Sequence, residues 1–74
     1  MRRRKHSGSY VVTGPDVDRQ VLSVAHGIVL AQEYACRRKD QATFYVRDLL
    51  DTTTYATVTR EEDGTVLTTP AIAA

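Results

Sequence analysis

Residues 17–38 read VDRQVLSVAHGIVLAQEYACRR, and this stretch decides the fold. At about 100° per residue, six of its residues fall on one narrow apolar stripe: Val17, Val21, Val24, Ile28, Ala31 and Ala35. Four more widen the stripe to roughly half of the circumference: Leu22, Ala25, Val29 and Cys36. The pattern predicts one long amphipathic helix from about Asp16 to Arg38. Its N-cap would be Thr13 or Gly14, and basic residues would complement its C-terminal end.

Short β-rich runs flank this segment. They are SYVVT at 9–13, ATFYVRD at 42–48, TTYATVTR at 53–60 and the run at 65–69, with Asp63-Gly64 as a hairpin turn before the last. Phe44 and Val46 are expected to face the helix. For the strand at 53–60, either Ala56 and Val58 or Tyr55 could point inward. The order β-α-β-β-β predicts an α+β fold, with the helix packed on a small antiparallel sheet.

The size of the chain bounds its organisation. Seventy-four residues predict a single domain at 9–70, preceded by a disordered basic arm at 1–8 and followed by a frayed tail at 71–74. A chain of this length buries only about 60% of its surface. Cys36 is the only cysteine, and with His6 and His26 it provides too few ligands for a closed zinc site. We therefore expect no cofactor or metal, and stability from packing or self-association.

The charge is divided between the two parts of the chain. Arg2, Arg3, Arg4 and Lys5 carry four of the ten positive charges, so residues 6–74 have a net charge of −3. The lone cysteine favours a reducing compartment, and no apolar run approaches the roughly 18 residues of a membrane span. The sequence thus predicts a cytoplasmic protein without membrane contact. Eight arginines against two lysines suggest a GC-rich genome, as in actinobacteria and their phages.

A row of small residues on the helix is the first candidate contact surface. Ser23, Gly27 and Ala31 recur every four residues, and Leu30 and Tyr34 lie beside them. Glycine within a helix costs about 1 kcal/mol relative to alanine, which indicates a reason for its presence. Small residues at this spacing allow a second backbone to approach closely. The row predicts a homodimer or docking on a larger protein; in the alternative interpretation, Gly27 packs against the sheet of its own chain.

Basic residues support a second hypothesis, binding of nucleic acid. A flexible arginine-rich arm can neutralise phosphates. The candidates are Arg2, Arg3, Arg4 and Lys5 of the arm, with Arg37, Arg38 and Lys39 at the end of the helix. The acidic remainder of the chain weighs against this hypothesis, and so does the absence of aromatic residues from the arm.

No pattern of residues predicts an enzyme. His26 falls on the polar side of the helix, and Cys36 is read as a small hydrophobe at the margin of the apolar stripe. Residues 61–63 are acidic because they form a hairpin tip. Threonine and tyrosine side chains predict a polar outer sheet face, and either the run at 9–13 or the run at 65–69 is a candidate edge that could accept another strand. The sequence therefore predicts a small, non-enzymatic, regulatory protein that works through protein contacts.

Overall fold

The computed structural model describes residues 9–50 and 53–70. These residues form six elements: β1 Tyr10–Gly14, β2 Val17–Val21, α1 Val24–Arg37, β3 Ala42–Asp48, β4 Thr54–Arg60 and β5 Val66–Pro70. The five strands make one sheet of order β2-β1-β3-β4-β5, in which every neighbouring pair is antiparallel. The helix packs on one face of this sheet, which confirms the predicted α+β class. The predicted basic arm and frayed tail lie outside the described residues.

The sheet has one strand more than the sequence predicts, because residues 17–21 form β2 and not the start of the helix. Pro15 and Asp16 make a two-residue turn, after which β2 pairs with β1 from Gly14↔Val17 to Tyr10↔Val21. Asp16 has φ 61°, a left-handed conformation that aspartate tolerates better than most residues. Residues four apart share a face in both a helix and a strand, so Val17 and Val21 fit either structure.

The helix has 14 residues, and its true N-cap is Ser23. The Ser23 Oγ accepts a hydrogen bond from the backbone N–H of His26 at 3.0 Å, which satisfies one of the free donors at a helix start. The predicted cap at Thr13 or Gly14 is therefore wrong. At the other end, the Arg38 N–H donates to the Ala35 carbonyl at 3.2 Å, and Arg37 is the basic residue of the last turn.

The core lies between the helix and the centre of the sheet. Strand β3 alternates strictly, and its buried residues include Phe44 and Val46, as predicted. In β4, Ala56 and Val58 are the buried residues, so they provide the inward face of that strand. Tyr55 stands at the shift in register where Val46 pairs with Ala56 but Arg47 pairs with Thr54. A bulge of this kind turns a side chain out of the regular alternation.

Asp48 is the buried charged residue of the described chain, with only 2% of its surface exposed. Its carboxylate accepts hydrogen bonds from the Leu50 N–H at 2.9 Å and from the Tyr55 hydroxyl at 3.3 Å. The Tyr55 ring meets the Tyr10 ring edge to face, with centroids 5.4 Å apart. Buried carboxylates are stable only when hydrogen-bonded. Asp48 therefore acts as a structural anchor for the connection between β3 and β4.

The sheet face opposite the helix is uncovered by other described residues. Tyr45 and Arg47 lie on it, with the Arg47 guanidinium 5.0 Å from the centre of the Tyr45 ring. The Thr43 and Thr59 hydroxyls are 3.5 Å apart across strands β3 and β4. These side chains are half-buried by one another, which agrees with the polar outer face that the sequence predicts.

Candidate protein-contact surface

The small residues of the helix face the sheet of their own chain. Gly27 and Ala31 are both buried. A Cβ at Gly27 would lie 2.8 Å from the Val46 Cγ1 atom and 3.3 Å from the Val21 Cγ2 atom. The structure thus agrees with the alternative interpretation of Gly27, in which the close approach is between α1 and the sheet beneath it. Neither Gly27 nor Ala31 is available on the surface of the single chain.

Leu30 and Tyr34 lie on the flank of the helix that faces β2. The Tyr34 ring stacks on Phe44 with centroids 6.2 Å apart, and its hydroxyl accepts a hydrogen bond from Arg19 Nη1 at 2.9 Å. Leu30 is half-buried against the core, while Ser23 is used as the cap. The five predicted contact residues are therefore not collected on one open face, although Leu30 and Tyr34 keep part of their surface exposed.

A different row of residues is open to solvent. The outer helix strip consists of three exposed helix residues, Ala25, Val29 and Cys36, while Leu22 is exposed just before the N-cap, directly after the end of β2. Leu22 is 74% exposed and Val29 is 53% exposed. These are the residues with which the sequence pattern widened the buried stripe, so their predicted burial is wrong. The inner stripe is correct at Val24, Ile28, Ala31 and Ala35, which lie in or against the core.

A hydrogen bond shows on which flank the outer helix strip lies. Gln32 stands between Val29 and Cys36 along the helix, and its Nε2 donates to the Thr68 Oγ1 of β5 at 2.7 Å. A hollow of about 340 Å³ borders these residues and is also lined by Glu33 and Arg37. Gln32 therefore marks the flank of the helix next to β5, and the strip lies between that flank and the solvent-facing side, away from the Tyr34–Arg19 contact.

One helix cannot cover five strands. Strands are spaced by about 4.8 Å, so the sheet is roughly 24 Å wide, whereas a helix with its side chains is about 10 Å wide. Strand β5 is left the most open: Val66 is half-buried, and the rest of the strand is exposed, including Leu67 at 49%. We call the outer helix strip, Gln32 and strand β5 together the β5 side of the molecule.

The two edge strands differ in charge. Strand β2 reads VDRQV and presents the exposed charges of Asp18 and Arg19. Strand β5 reads VLTTP and contains no charged residue. Charged side chains on an edge discourage pairing with another chain, and an edge without them is open to it. Of the two predicted edges, 65–69 is confirmed, and 9–13 is wrong because β2 pairs with β1 and takes the edge position. Strand β5 is the edge without charged residues.

The basic residues at the helix end line a separate groove. This groove has a volume of about 440 Å³ and lies between the β1–β2 turn and the loop after the helix. Arg37 and Lys39 are exposed there, while Arg38 forms an ion pair with Asp40 at 3.0 Å. Ser9 and Tyr10 lie at the opposite end of β1 from the turn. The arm residues Arg2, Arg3, Arg4 and Lys5 lie outside the described part of the chain.

The remaining side chains that could carry chemistry, His26, Cys36 and Asp63, do not form a site together. His26 and Cys36 are exposed, and within residues 9–50 and 53–70 no three metal-binding side chains come together. Hydrogen bonds from the N–H and hydroxyl of Thr65 lower the pKa of Asp63, whose Oδ1 accepts from that N–H at 2.9 Å. Gly64 has φ 96°, so the Asp63-Gly64 turn is confirmed.

In the part of the chain that the structure describes, no helix is long and apolar enough to cross a bilayer.

Comparison of the chain with protein-family models, with curated proteins and with solved structures finds no match.

Proposed function

We propose that this protein is a small, non-enzymatic binding protein that acts through protein contacts and works as a homodimer. One observation carries the proposal: the uncharged, open β5 edge and the exposed outer helix strip lie on the same side of the molecule. The contact surface assigned here is the β5 side, in place of the row from Ser23 to Tyr34. A larger protein partner would meet the same surface, either as a target to regulate or as an assembly to join.

Burial of the β5 side supports this proposal energetically. Removing apolar surface from water stabilises an association by roughly 25 cal/mol per Å². The exposed side chains of Val29 and Leu67 are large apolar groups that gain from such burial. A chain of 74 residues has little stability of its own to spare, so contact with a second chain also stabilises the fold.

Sedimentation velocity across a concentration series tests the homodimer. We expect the full-length protein to sediment with twice its chain mass of 8.2 kDa at the higher concentrations. Leu67→Lys places a charge on the open edge and should lower the dimer fraction. Gln20→Lys is the matched control, because Gln20 is an exposed residue of the opposite edge strand. A wild-type protein that remains monomeric throughout the series would contradict the homodimer.

A second candidate function, nucleic-acid binding, draws support from the exposed Arg37 and Lys39 beside the 440 Å³ groove. Together with the arm residues, they could contact several phosphates. The test is fluorescence anisotropy of a random-sequence DNA duplex at low and at moderate salt. Binding that falls steeply with salt and is lost on deletion of residues 2–5 would support this function. Absence of binding at low salt would reject it.

A further inference from the structure

The hydrogen bonding of β5 determines which of its backbone groups point outward. The Glu61 N–H donates to the Thr65 carbonyl at 2.7 Å, which makes these two residues a hydrogen-bonded pair. Hydrogen-bonded and non-hydrogen-bonded pairs alternate along an antiparallel ladder. In the register of β4 and β5, Leu67 and Thr69 therefore bond to β4. Val66, Thr68 and Pro70 direct their backbone groups away from it.

The outward groups form a set that is complementary to itself. Val66 and Thr68 each offer an N–H and a carbonyl, whereas Pro70 offers a carbonyl alone because proline has no N–H. An antiparallel partner strand must supply a carbonyl opposite each N–H. A second copy of β5 meets this requirement when Thr68 lies opposite the same residue of the other copy.

We propose that two copies of the protein pair through β5, antiparallel and centred on Thr68. This inference rests on the proposed homodimer and names its interface. Each Thr68 N–H donates to the carbonyl of the partner's Thr68, and each Val66 N–H donates to the carbonyl of the partner's Pro70. All outward N–H groups of both β5 strands are thereby used. Because Pro70 has no N–H, the Val66 carbonyl opposite it has no donor, which leaves one such carbonyl in each copy.

The neighbouring registers are less favourable. A pairing centred on Val66 would place Thr68 opposite Gly64, which belongs to the turn and has φ 96°. A pairing centred on Pro70 would place two prolines together and lose both central donors. A pairing centred on Leu67 would use the same N–H groups, with Val66 opposite the partner's Thr68, but it would place Pro70 opposite Gly64 of the turn. The Thr68 register uses every available N–H and also keeps all paired residues within β5.

This pairing organises the rest of the β5 side. The two-fold axis stands perpendicular to the sheet, so both helices lie on the same face of one ten-stranded sheet. Gln32 of each copy holds its own Thr68 hydroxyl beside the axis. The Gln32 flanks of the two helices then face each other across the paired β5 strands, and the outer helix strips lie along the upper margins of the groove between them.

Cysteine cross-linking tests the register. In a Cys36→Ser background, Thr68→Cys places one thiol from each copy next to the two-fold axis, because directly opposed residues are about 5.5 Å apart between Cα atoms. A short bismaleimide should convert most of this variant to a covalent dimer. Gln20→Cys in the same background is the control, since it lies on the opposite edge strand, and should remain monomeric on a denaturing gel.

Removal of the central donor tests the hydrogen bonds. Thr68→Pro deletes two of the four bonds between the copies, which should raise the dimer dissociation constant roughly thirty-fold. Gln20→Pro is the control on the other edge. The two-residue β1–β2 turn makes Gly14 and Val17 a hydrogen-bonded pair, so by the same alternation the Gln20 N–H points away from β1. Its dimer constant should be unchanged.

Hydrogen exchange gives an independent measurement if Thr68→Pro does not fold. The Val66 and Thr68 amides of the wild type should be protected at high concentration and lose that protection on dilution. A wild-type dimer that Thr68→Cys does not cross-link, with rapid exchange at both amides, would overturn this interface while leaving the homodimer intact. A wild type that is monomeric at every concentration would overturn both.

Discussion

The inner and outer sides of helix α1 carry opposite kinds of residue. The inner side contains Gly27, Ala31 and Ala35, which are among the smallest residues of the chain and are buried. The outer side carries Val29, which is large, apolar and 53% exposed. The difference teaches where the helix comes closest to the sheet, namely at Gly27, Ala31 and Ala35. At these three positions only small residues fit between helix and sheet, whereas Val29 on the outer side has open space around it.

Gly27→Leu should lower the free energy of unfolding more than any other variant, because it disrupts the packing of the inner side against the sheet. Its Cβ would stand 2.8 Å from the Val46 side chain, and overpacking of this kind costs about 3 kcal/mol or more. A domain of this size would lose most of its folded population. Urea unfolding followed by circular dichroism measures the change. Val29→Leu on the outer side is the control, and it should alter the free energy of unfolding by less than about 0.5 kcal/mol.

The sequence pattern leads to a different expectation for that same variant. If the row of small residues were an external contact, Gly27→Leu would keep its helix content and lose only self-association. A variant with normal circular dichroism but a lower sedimenting mass would therefore support the external row and contradict the close approach to Val46.

Ser23→Ala should have an intermediate effect on stability, because Ser23 is the N-cap from which both sides of the helix start. The variant removes the Oγ that accepts the His26 N–H, and loss of such a cap costs about 1 kcal/mol. Thermal unfolding should show a lower midpoint. Ser23→Asp should restore most of it, since aspartate is an equally good cap and favours the positive end of the helix dipole. A Ser23→Ala protein as stable as the wild type would argue against this helix start.

Tyr34→Phe should have a smaller effect on the flank that faces β2. The ring keeps its stacking on Phe44, while the hydroxyl loses its hydrogen bond from Arg19. This bond is exposed to solvent, so we expect a loss of about 0.5 kcal/mol. Arg19→Ala should cost a similar amount, and the double variant no more than either single variant. Additive losses in that double-mutant cycle would show that the two side chains do not interact.

Val29→Asp should have the smallest effect on stability, which would show how little the outer side of the helix contributes compared with the inner side. An exposed position on the outer side tolerates a polar residue, so the free energy of unfolding should change by less than about 0.5 kcal/mol. The binding of a fluorescent apolar dye to the β5 side should nevertheless fall, because Val29 lines the hollow beside Gln32. Dye binding equal to that of the wild type would remove Val29 from the proposed contact surface.

Most of the fold can be predicted from the sequence where one periodicity applies. Strand β3 alternates over seven residues, so its inward residues Phe44 and Val46 are predicted correctly. The Asp63-Gly64 turn is likewise specified by local chemistry, because glycine adopts the positive φ that the turn requires. The predicted class, one helix on an antiparallel sheet, follows from these elements.

The errors arise where two periodicities agree. Val17 and Val21 share a face at both the strand period and the helix period, so the strand merges with the helix in the sequence pattern. Val24 follows as a further apolar residue, and the merged stripe hides the cap at Ser23. The predicted contact surface is in error for a related reason. A glycine in a helix indicates that another part of a protein approaches closely, but it does not indicate whether that part belongs to the same chain. That answer depends on the distance between α1 and Val46, which is a property of the whole fold.

The order of the strands also has a consequence for the folding rate. Strands β3, β4 and β5 follow one another as neighbours, and β1 and β2 form a hairpin, so both units rest on local contacts. The two units are joined by the β1–β3 pairing, in which Val12 pairs with Val46. Strand β2 and the whole helix lie between these two residues in the sequence. Local hairpins form within microseconds, whereas this junction must close a long loop. We therefore expect docking of the N-terminal hairpin on β3 to limit folding, and Val12→Ala to slow refolding more than it accelerates unfolding.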